Sequence, residues 1–245
     1  MKEERYFYVP MASSKIEMPE EEALHALRVL RLKSGDEMVL MDGNGTFYRA
    51  VVTIAATKRC YYEIVEALPQ QRDWRGHLHI AMAPTKIMDR VEWFMEKATE
   101  IGVDEFSFLC CRFSERKMMR TVRLEKIVIS AVKQSRKPWK PVINPQVNFK
   151  EFIQQPRSGQ KFIAHCYPEI EREDLFHILQ QPDIALGNDE ITVLIGPEGD
   201  FSVEEVRDAI AHGYRSVSLG RERLRTETAA LSAVMMGHLS RRIVE

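Results

Sequence analysis

Ile191-Thr-Val-Leu-Ile195 runs straight into Gly196-Pro-Glu-Gly-Asp-Phe-Ser202. A second stretch, Leu219-Gly-Arg-Glu-Arg-Leu-Arg-Thr-Glu-Thr-Ala229, has the same plan. Each reads as a buried strand, a loop rich in glycine or charge, and then a helix. Residues 191–195 are apolar apart from Thr192, as expected for a central parallel strand covered on both faces. Ser202 and Glu205 are spaced for a capping box, Phe201 and Val206 for a hydrophobic staple, and Gly213 for the helix end. Working outward, strands are expected at 77–82, 106–110, 161–165 and 215–219. They alternate with helices over 86–100, 122–134, 172–179 and 226–239, and a short one near 148–154. Ile87, Val91, Phe94, Met95 and Ala98 would line one side of the first helix. Pro138, Pro141 and Pro145 read as a proline-rich crossing. This alternation predicts an α/β domain with a mostly parallel sheet and helices on both faces. Open sheets of that kind place ligands at the C-terminal ends of their strands, where both opening loops fall.

The first 68 residues have another rhythm. Short β-like runs at 5–9, 37–41, 46–56 and 61–67 surround one helix expected over 19–30, and Asp42-Gly-Asn-Gly45 marks a hairpin. A small barrel or sandwich is expected. Pro69 to Gly76 is polar with Pro and Gly and reads as a linker, giving domains at 1–70 and 71–245.

The totals exclude several classes. No apolar run approaches the ~20 residues of a membrane span. The charged start Met1-Lys-Glu-Glu-Arg5 shows no export signal. Cys60, Cys110, Cys111 and Cys166 lack metal-ligand spacing, and the histidines form no metal-like constellation, so no metal and reduced cysteines in the cytoplasm are expected. Net charge is only −1, yet basic residues cluster. Arg112, Arg116, Lys117, Arg120 and Arg123 fall in one group, Arg28, Arg31 and Lys33 in a second, and Lys133, Arg136, Lys137 and Lys140 in a third.

A glycine-rich loop between strand and helix often binds phosphate. Here Glu198 and Asp200 would repel an anion, and neither dinucleotide nor P-loop spacing is present. A neutral or cationic ligand met by backbone groups suits the loop better; a plain turn with a helix cap is the alternative. Arg221 to Glu227 could be a solvated charge run, but Leu219 and Leu224 bracket it. The small residues Ala229, Ala230, Ser232 and Ala233 that follow imply a tightly packed helix, either within one subunit or against a second.

Leu194-Ile-Gly-Pro-Glu-Gly199, Leu219-Gly220 and Leu224-Arg-Thr-Glu-Thr-Ala229 closely resemble the RsmE family of 16S ribosomal RNA uridine N3-methyltransferases, of the SPOUT class. Lys97-Ala-Thr-Glu-Ile-Gly-Val103, Ser114-Glu-Arg116, and His25 with Arg28-Val-Leu-Arg-Leu32 and Gly35-Asp36 extend the resemblance over nearly the whole chain. It implies a trefoil-knotted SPOUT domain, one of the rare exceptions to unknotted chains, behind an N-terminal PUA-like β-barrel. It also implies a homodimer, S-adenosylmethionine as cofactor, and as substrate one uridine in the decoding region of 16S rRNA, within the 30S subunit.

By this resemblance the cofactor contacts are His165, Cys166, Ile195, Gly196, Pro197, Glu198, Gly199, Leu219, Gly220, Leu224, Thr228 and Ala229. Arg225 is the expected donor to the uracil oxygens. Glu198 and Glu227 are candidates for positioning or for accepting the N3 proton, or else for pairing an arginine. Arg28, Arg31, Arg112, Arg116, Arg120 and Arg123 are candidates for RNA phosphates. Phe113 and Trp139 are candidates for cradling the base, with ordinary packing the default for each. Two departures from the family pattern stand out: Glu222-Arg223 before Leu224-Arg225, and Lys133 before Gln134-Ser135. Another SPOUT enzyme acting on transfer RNA, or a non-catalytic RNA-binding assembly protein, is the alternative function. A phosphate-binding α/β enzyme is disfavoured by the acids of the first loop.

Overall fold

The computed structural model describes residues 4–72, 76–181 and 190–242. Two units emerge from its contacts: Met1–Asp73 with Ile129–Lys140, and Trp74–Val128 with Pro141–Glu245. Residues 73–75 of the expected linker lie outside the described residues.

In the first unit β1 (Tyr6–Tyr8), β2 (Glu37–Met41), β3 (Thr46–Ala55) and β4 (Cys60–Pro69) form one sheet in that order. The β1–β2 pairing is parallel and the others are antiparallel. Asp42 makes the hairpin turn by accepting the Asn44 and Thr46 N–H groups at 2.7 and 3.0 Å. Helix α1 (Glu20–Leu24) opens after Pro19 with three glutamates in its first turn, where the helix dipole favours acids. The single helix expected over 19–30 is divided. A π-helical turn covers His25–Val29, Leu30 N–H reaches back to the His25 carbonyl, and Arg31 ends the turn at φ 54°. Phe7, Leu40, Val52 and Tyr62 centre the core.

Residues 129–140 complete this unit. Lys133 Nζ lies 2.6 Å from Glu22 Oε1, and both side chains are largely buried. The other Glu22 oxygen accepts the Tyr8 N–H. Lys133 therefore has a defined partner. Trp139 packs on Gly45, where an added Cβ would come within 2.7 Å of the indole, and carries the Arg72 guanidinium over its ring.

The second unit is a seven-stranded sheet, every pairing parallel, in the order β7-β6-β5-β10-β8-β11-β9. Its strands are β5 (His77–Met82), β6 (Glu105–Cys110), β7 (Val142–Asn148), β8 (Gln160–Ala164), β9 (Glu173–Asp174), β10 (Glu190–Ile195) and β11 (Arg215–Ser218). Its helices are α2 (Met88–Ile101), α3 (Val122–Ser135, shared with the first unit from residue 129), α4 (Phe149–Gln154), α5 (Leu175–Leu179), α6 (Val203–Ala211) and α7 (Thr226–Arg242). As its composition demands, β10 lies between β5 and β8, with Val193 beside both Ile80 and Phe162. Both halves of the capping box form at Ser202 and Glu205, and Phe201 and Val206 are fully buried.

Two expectations change. The proline-rich crossing ends in strand β7. Pro145, without an N–H, is tolerated because β7 is an edge strand whose register against β6 slips beside it. The helix expected from 172 begins only at Leu175, because Glu173 and Asp174 pair with β11 and Asp174 caps the helix by accepting the His177 N–H. On α7, Ala230, Ala233 and Val234 are fully buried against α2, β5, β10 and α5, so the small residues serve close packing within the chain. Among the described residues no helix is long and apolar enough to cross a membrane.

Polar groups gather where the strands begin. Glu105 bonds to His77 Nε2 at 2.7 Å and to Asn144 at 2.6 Å, and His79 Nε2 lies 2.9 Å from Ser107 Oγ. Burial pushes the His79 pKa down to about 4. Burial disfavours ionisation of Glu105, but its hydrogen bond from His77 and the neighbouring His79 hold it down at about 2. Unfolded His79 takes a proton near pH 6.5 and the folded residue does not, so stability falls as pH drops from 6.5 towards 4. The Glu105 contribution is then lost between about 4.5 and 2. His77, raised mainly by its bond to Glu105, acts in the opposite sense, stabilising below pH 6.5. Unfolding free energy from urea titrations should fall between pH 6.5 and 4, by up to about 3 kcal/mol from His79, and His79→Gln should flatten that limb. In the first unit, Lys133→Glu should cost about 3 kcal/mol, and Glu22→Lys in the same chain should restore most of the loss in thermal denaturation.

Candidate active site

All-parallel pairing delivers the loops after β5, β6, β8, β10 and β11 to one sheet edge. Asp200 ties two of them together. It sits at φ 66°, a left-handed conformation that aspartate tolerates better than most residues. Its Oδ2 accepts the Cys166 N–H at 2.8 Å, and its Oδ1 accepts the Phe201 N–H at 2.7 Å. Tyr167 adds a second tie, donating its hydroxyl to the Phe201 carbonyl at 2.6 Å. Beneath them His165 is buried. Tyr167 N–H donates to its Nδ1, so Nε2 carries the hydrogen and donates to Ser216 Oγ at 2.7 Å; Ser216 donates onward to the Glu171 carbonyl. Burial pushes the His165 pKa down and keeps the ring neutral. Its side chain thus belongs to the supporting layer, while Cys166 is exposed above it.

The loop after β10 is held from its other side as well. Ile195, Gly196 and Pro197 are buried, Glu198 and Gly199 exposed. Glu198 Oε1 accepts the Lys86 N–H at 2.9 Å. Arg116 fixes the same segment by donating to the Thr85 and Lys86 carbonyls, the latter at 2.6 Å. Lys86 Nζ in turn pairs with Glu115 at 2.8 Å. At Gly199 an added Cβ would lie 3.3 Å from Phe113 Cβ, so the loops after β6 and β10 touch there.

The loop after β11 is built differently. Gly220 has φ +106°, with open space where a side chain would go. Among the described residues, Gly220 to Leu224 form no backbone hydrogen bond, leaving their N–H and C=O groups available. Arg223 lies close enough to Cys166 to act on it electrostatically, which brings this loop to the one after β8. Leu219, Leu224 and Ala229 are half-buried and Thr228 is exposed. The exposed Arg225 side chain has no partner among the described residues, and its carbonyl accepts the Ala229 N–H. Glu227 is buried. Its Oε1 is 3.6 Å from Arg90 Nε in the first turn of α2, and its Oε2 has no hydrogen-bond partner among the described residues.

The candidate arginines divide by environment. Arg112 donates to Glu204 while its own N–H is held by Glu205; Arg116 binds carbonyls; Arg123 pairs with Glu92 at 2.6 Å. Arg120 is exposed without a partner among the described residues. In the first unit Arg28 and Arg31 are exposed, and Arg28 lines an open groove of about 630 Å³ with Leu27, Leu32, Lys33, Ser34 and Ala55 to Thr57. Asp200 entered the sequence reading only as a charge that would repel an anion, and Lys86 and Arg90 were not singled out at all. Nothing in their spacing marks them, because their partners lie 34, 112 and 137 positions away. Among the described residues no group of three His, Cys, Asp or Glu could hold a metal.

A model described as an RNA methyltransferase domain matches residues 72–237, and one described as an RNA methyltransferase PUA domain matches residues 19–65. The chain belongs to this RNA methyltransferase family. Among the family's solved structures, a "probable rRNA-methyltransferase" from Porphyromonas gingivalis shares 40% identity, covering 98% of this chain and 100% of that one, at a TM-score of 0.89. Ribosomal RNA small subunit methyltransferase E from Neisseria gonorrhoeae, solved bound to S-adenosylmethionine, shares 25% identity over 95% of this chain and 96% of its own, at a TM-score of 0.79. The curated enzyme of that name from Rickettsia conorii is 27% identical over 91% of this chain and 88% of its own length.

Asp200→Ala frees two N–H groups and should cost about 1–3 kcal/mol of local stability. Amide hydrogen exchange should accelerate about tenfold or more at Cys166 and Phe201 and remain unchanged in β5 and β6.

Proposed function

We propose that this chain methylates ring nitrogen N3 of one uridine in the decoding region of 16S ribosomal RNA, with S-adenosylmethionine as methyl donor. The carrying observation is the unpaired backbone run Gly220–Leu224, at the same sheet edge as Gly196–Gly199 and close to Cys166. Such a run fits the donor's adenine, a neutral ring with alternating donors and acceptors. Glu198, Asp200 and Glu227 suit its cationic sulfonium and would repel a phosphate. Ile195 to Gly199, Leu219, Gly220, Leu224, Thr228 and Ala229 would hold it with Cys166, and His165 would support them from below. When bound, the cofactor supplies an electrophilic methyl group.

The remaining work falls to side chains of this protein. Deprotonating N3 spreads negative charge onto the two uracil oxygens, and a preorganised cationic donor there is worth more than water. Arg225, exposed and without a partner among the described residues, suits that role. Glu227 suits proton acceptance: it is buried, steadied by Arg90, and has one oxygen unpartnered. Glu198 suits positioning, since one of its oxygens holds the Lys86 N–H.

The knotted form of the SPOUT class is part of this reading. β11 lies beyond β8 from β10, while α7 packs back on α2, β5 and β10, so the chain recrosses the sheet after β11. A PUA-like barrel over 1–70, holding RNA through Arg28, Arg31 and the groove beside them, completes it, with Arg112, Arg116, Arg120 and Arg123 on the methyltransferase domain at 71–245. We place the enzyme in the cytoplasm as a homodimer; exposed Met235 and Leu239, one turn apart on α7, support a second copy there.

Calorimetry should detect S-adenosylmethionine binding, and labelled methyl groups should enter 30S subunits but not transfer RNA. Arg225→Ala and Glu227→Gln should each lower kcat by about a hundredfold or more with little change in cofactor Kd. A folded protein that binds no S-adenosylmethionine would overturn the proposal.

A further inference from the structure

N3 of uracil lies on the edge used for base pairing, so a transferase acting there must take the base out of its stack and hold it by its faces. We infer that Phe113 is the platform on which the target uracil stacks. This rests on the function proposed above and adds a specificity-determining residue to it.

Three observations converge on Phe113. First, it is 45% exposed, while Phe94, Phe106, Phe108, Phe149, Phe152, Phe162 and Phe201 of the same unit are all within 1% of full burial. It therefore contributes little to the core. Second, it is placed where the base has to come. Its Cβ would lie 3.3 Å from a Cβ on Gly199, at the exposed end of the loop after β10. A side chain at 199 would push into this residue, so glycine lets the two loops meet.

Third, the loop that carries it is pinned by its neighbours. Cys111 N–H donates to Ser114 Oγ, Ser114 N–H to the Cys111 carbonyl, and Arg112 N–H to Glu205. Arg116 anchors the same loop to Thr85 and Lys86. A ring carried on a pinned loop loses less freedom when a base lands on it. Around it, basic Arg112, Lys117 and Arg120 are interleaved with the aromatic group, the composition of single-strand nucleic-acid surfaces. The Arg112 guanidinium lies 5.7 Å from the ring centre. The other aromatic candidate, Trp139, is committed to Gly45 and Arg72 in the first unit.

The test compares Phe113→Ala, Phe113→Leu and Phe113→Trp in methyl transfer to 30S subunits, with S-adenosylmethionine affinity measured on each protein. Stacking predicts that Ala and Leu lower kcat/KM by about tenfold or more, that Trp stays within about threefold of the unsubstituted protein, and that cofactor Kd is unchanged in all three. Leu as active as Phe would overturn the inference, because bulk alone would then suffice. So would a fall in cofactor affinity matching the fall in activity, since Phe113 would then merely prop Gly199. Transfer indifferent to all three changes rejects this role while leaving the reaction intact; an unsubstituted protein that transfers no methyl group rejects the reaction and the role together.

Discussion

Parallel pairing is the constraint on which the second unit depends. Because β5, β6, β8, β10 and β11 all run the same way, their C-terminal loops meet at one edge without any loop having to travel. Backbone dipoles and N–H groups accumulate there, and something must keep the loops apart from one another yet close. Asp200 does so with one carboxylate and two hydrogen bonds. A charged acceptor makes each of these bonds stronger than a neutral one. Tyr167 and the His165–Ser216–Glu171 relay brace the same junction from below. These bonds form a supporting layer beneath the exposed ends of the loops.

A different economy governs Glu227. Burying a carboxylate beside a single guanidinium at 3.6 Å, with one oxygen unbonded, is unfavourable for folding. Ser202 with Glu205 and Lys133 with Glu22 show the opposite case, in which each group is answered by a close partner. Arg225, two residues before Glu227, is exposed, so the two ionisable groups of one short motif occupy opposite environments.

Much of this was legible in the chain. The capping box, the staple and the apolar run 191–195 are local signals, and each formed as read. The positions of the two opening loops followed from parallel pairing alone. What escaped were features settled by partners distant in sequence. Pro145 read as part of a crossing, and its place in a strand depends on β7 being an edge. The helix from 172 was shortened because β11 claimed residues 173 and 174. The π-helical turn at 25–29 has no local signature distinguishing it from α-helix. Lys86, Arg90 and Asp200 are ordinary charged residues whose roles exist only once strands far apart in sequence have paired.

The ion pair between Lys133 and Glu22 has a consequence for how the protein is made. The first unit is not one continuous stretch: it needs residues 129–140, with Lys133 on Glu22, Arg136 over Tyr6 and Lys140 bonded to Gly43. During synthesis its sheet can assemble early, but the acid at Glu22 stays without its cation until some 110 further residues have left the ribosome. The N-terminal unit is the first to be translated and cannot be the first to be finished.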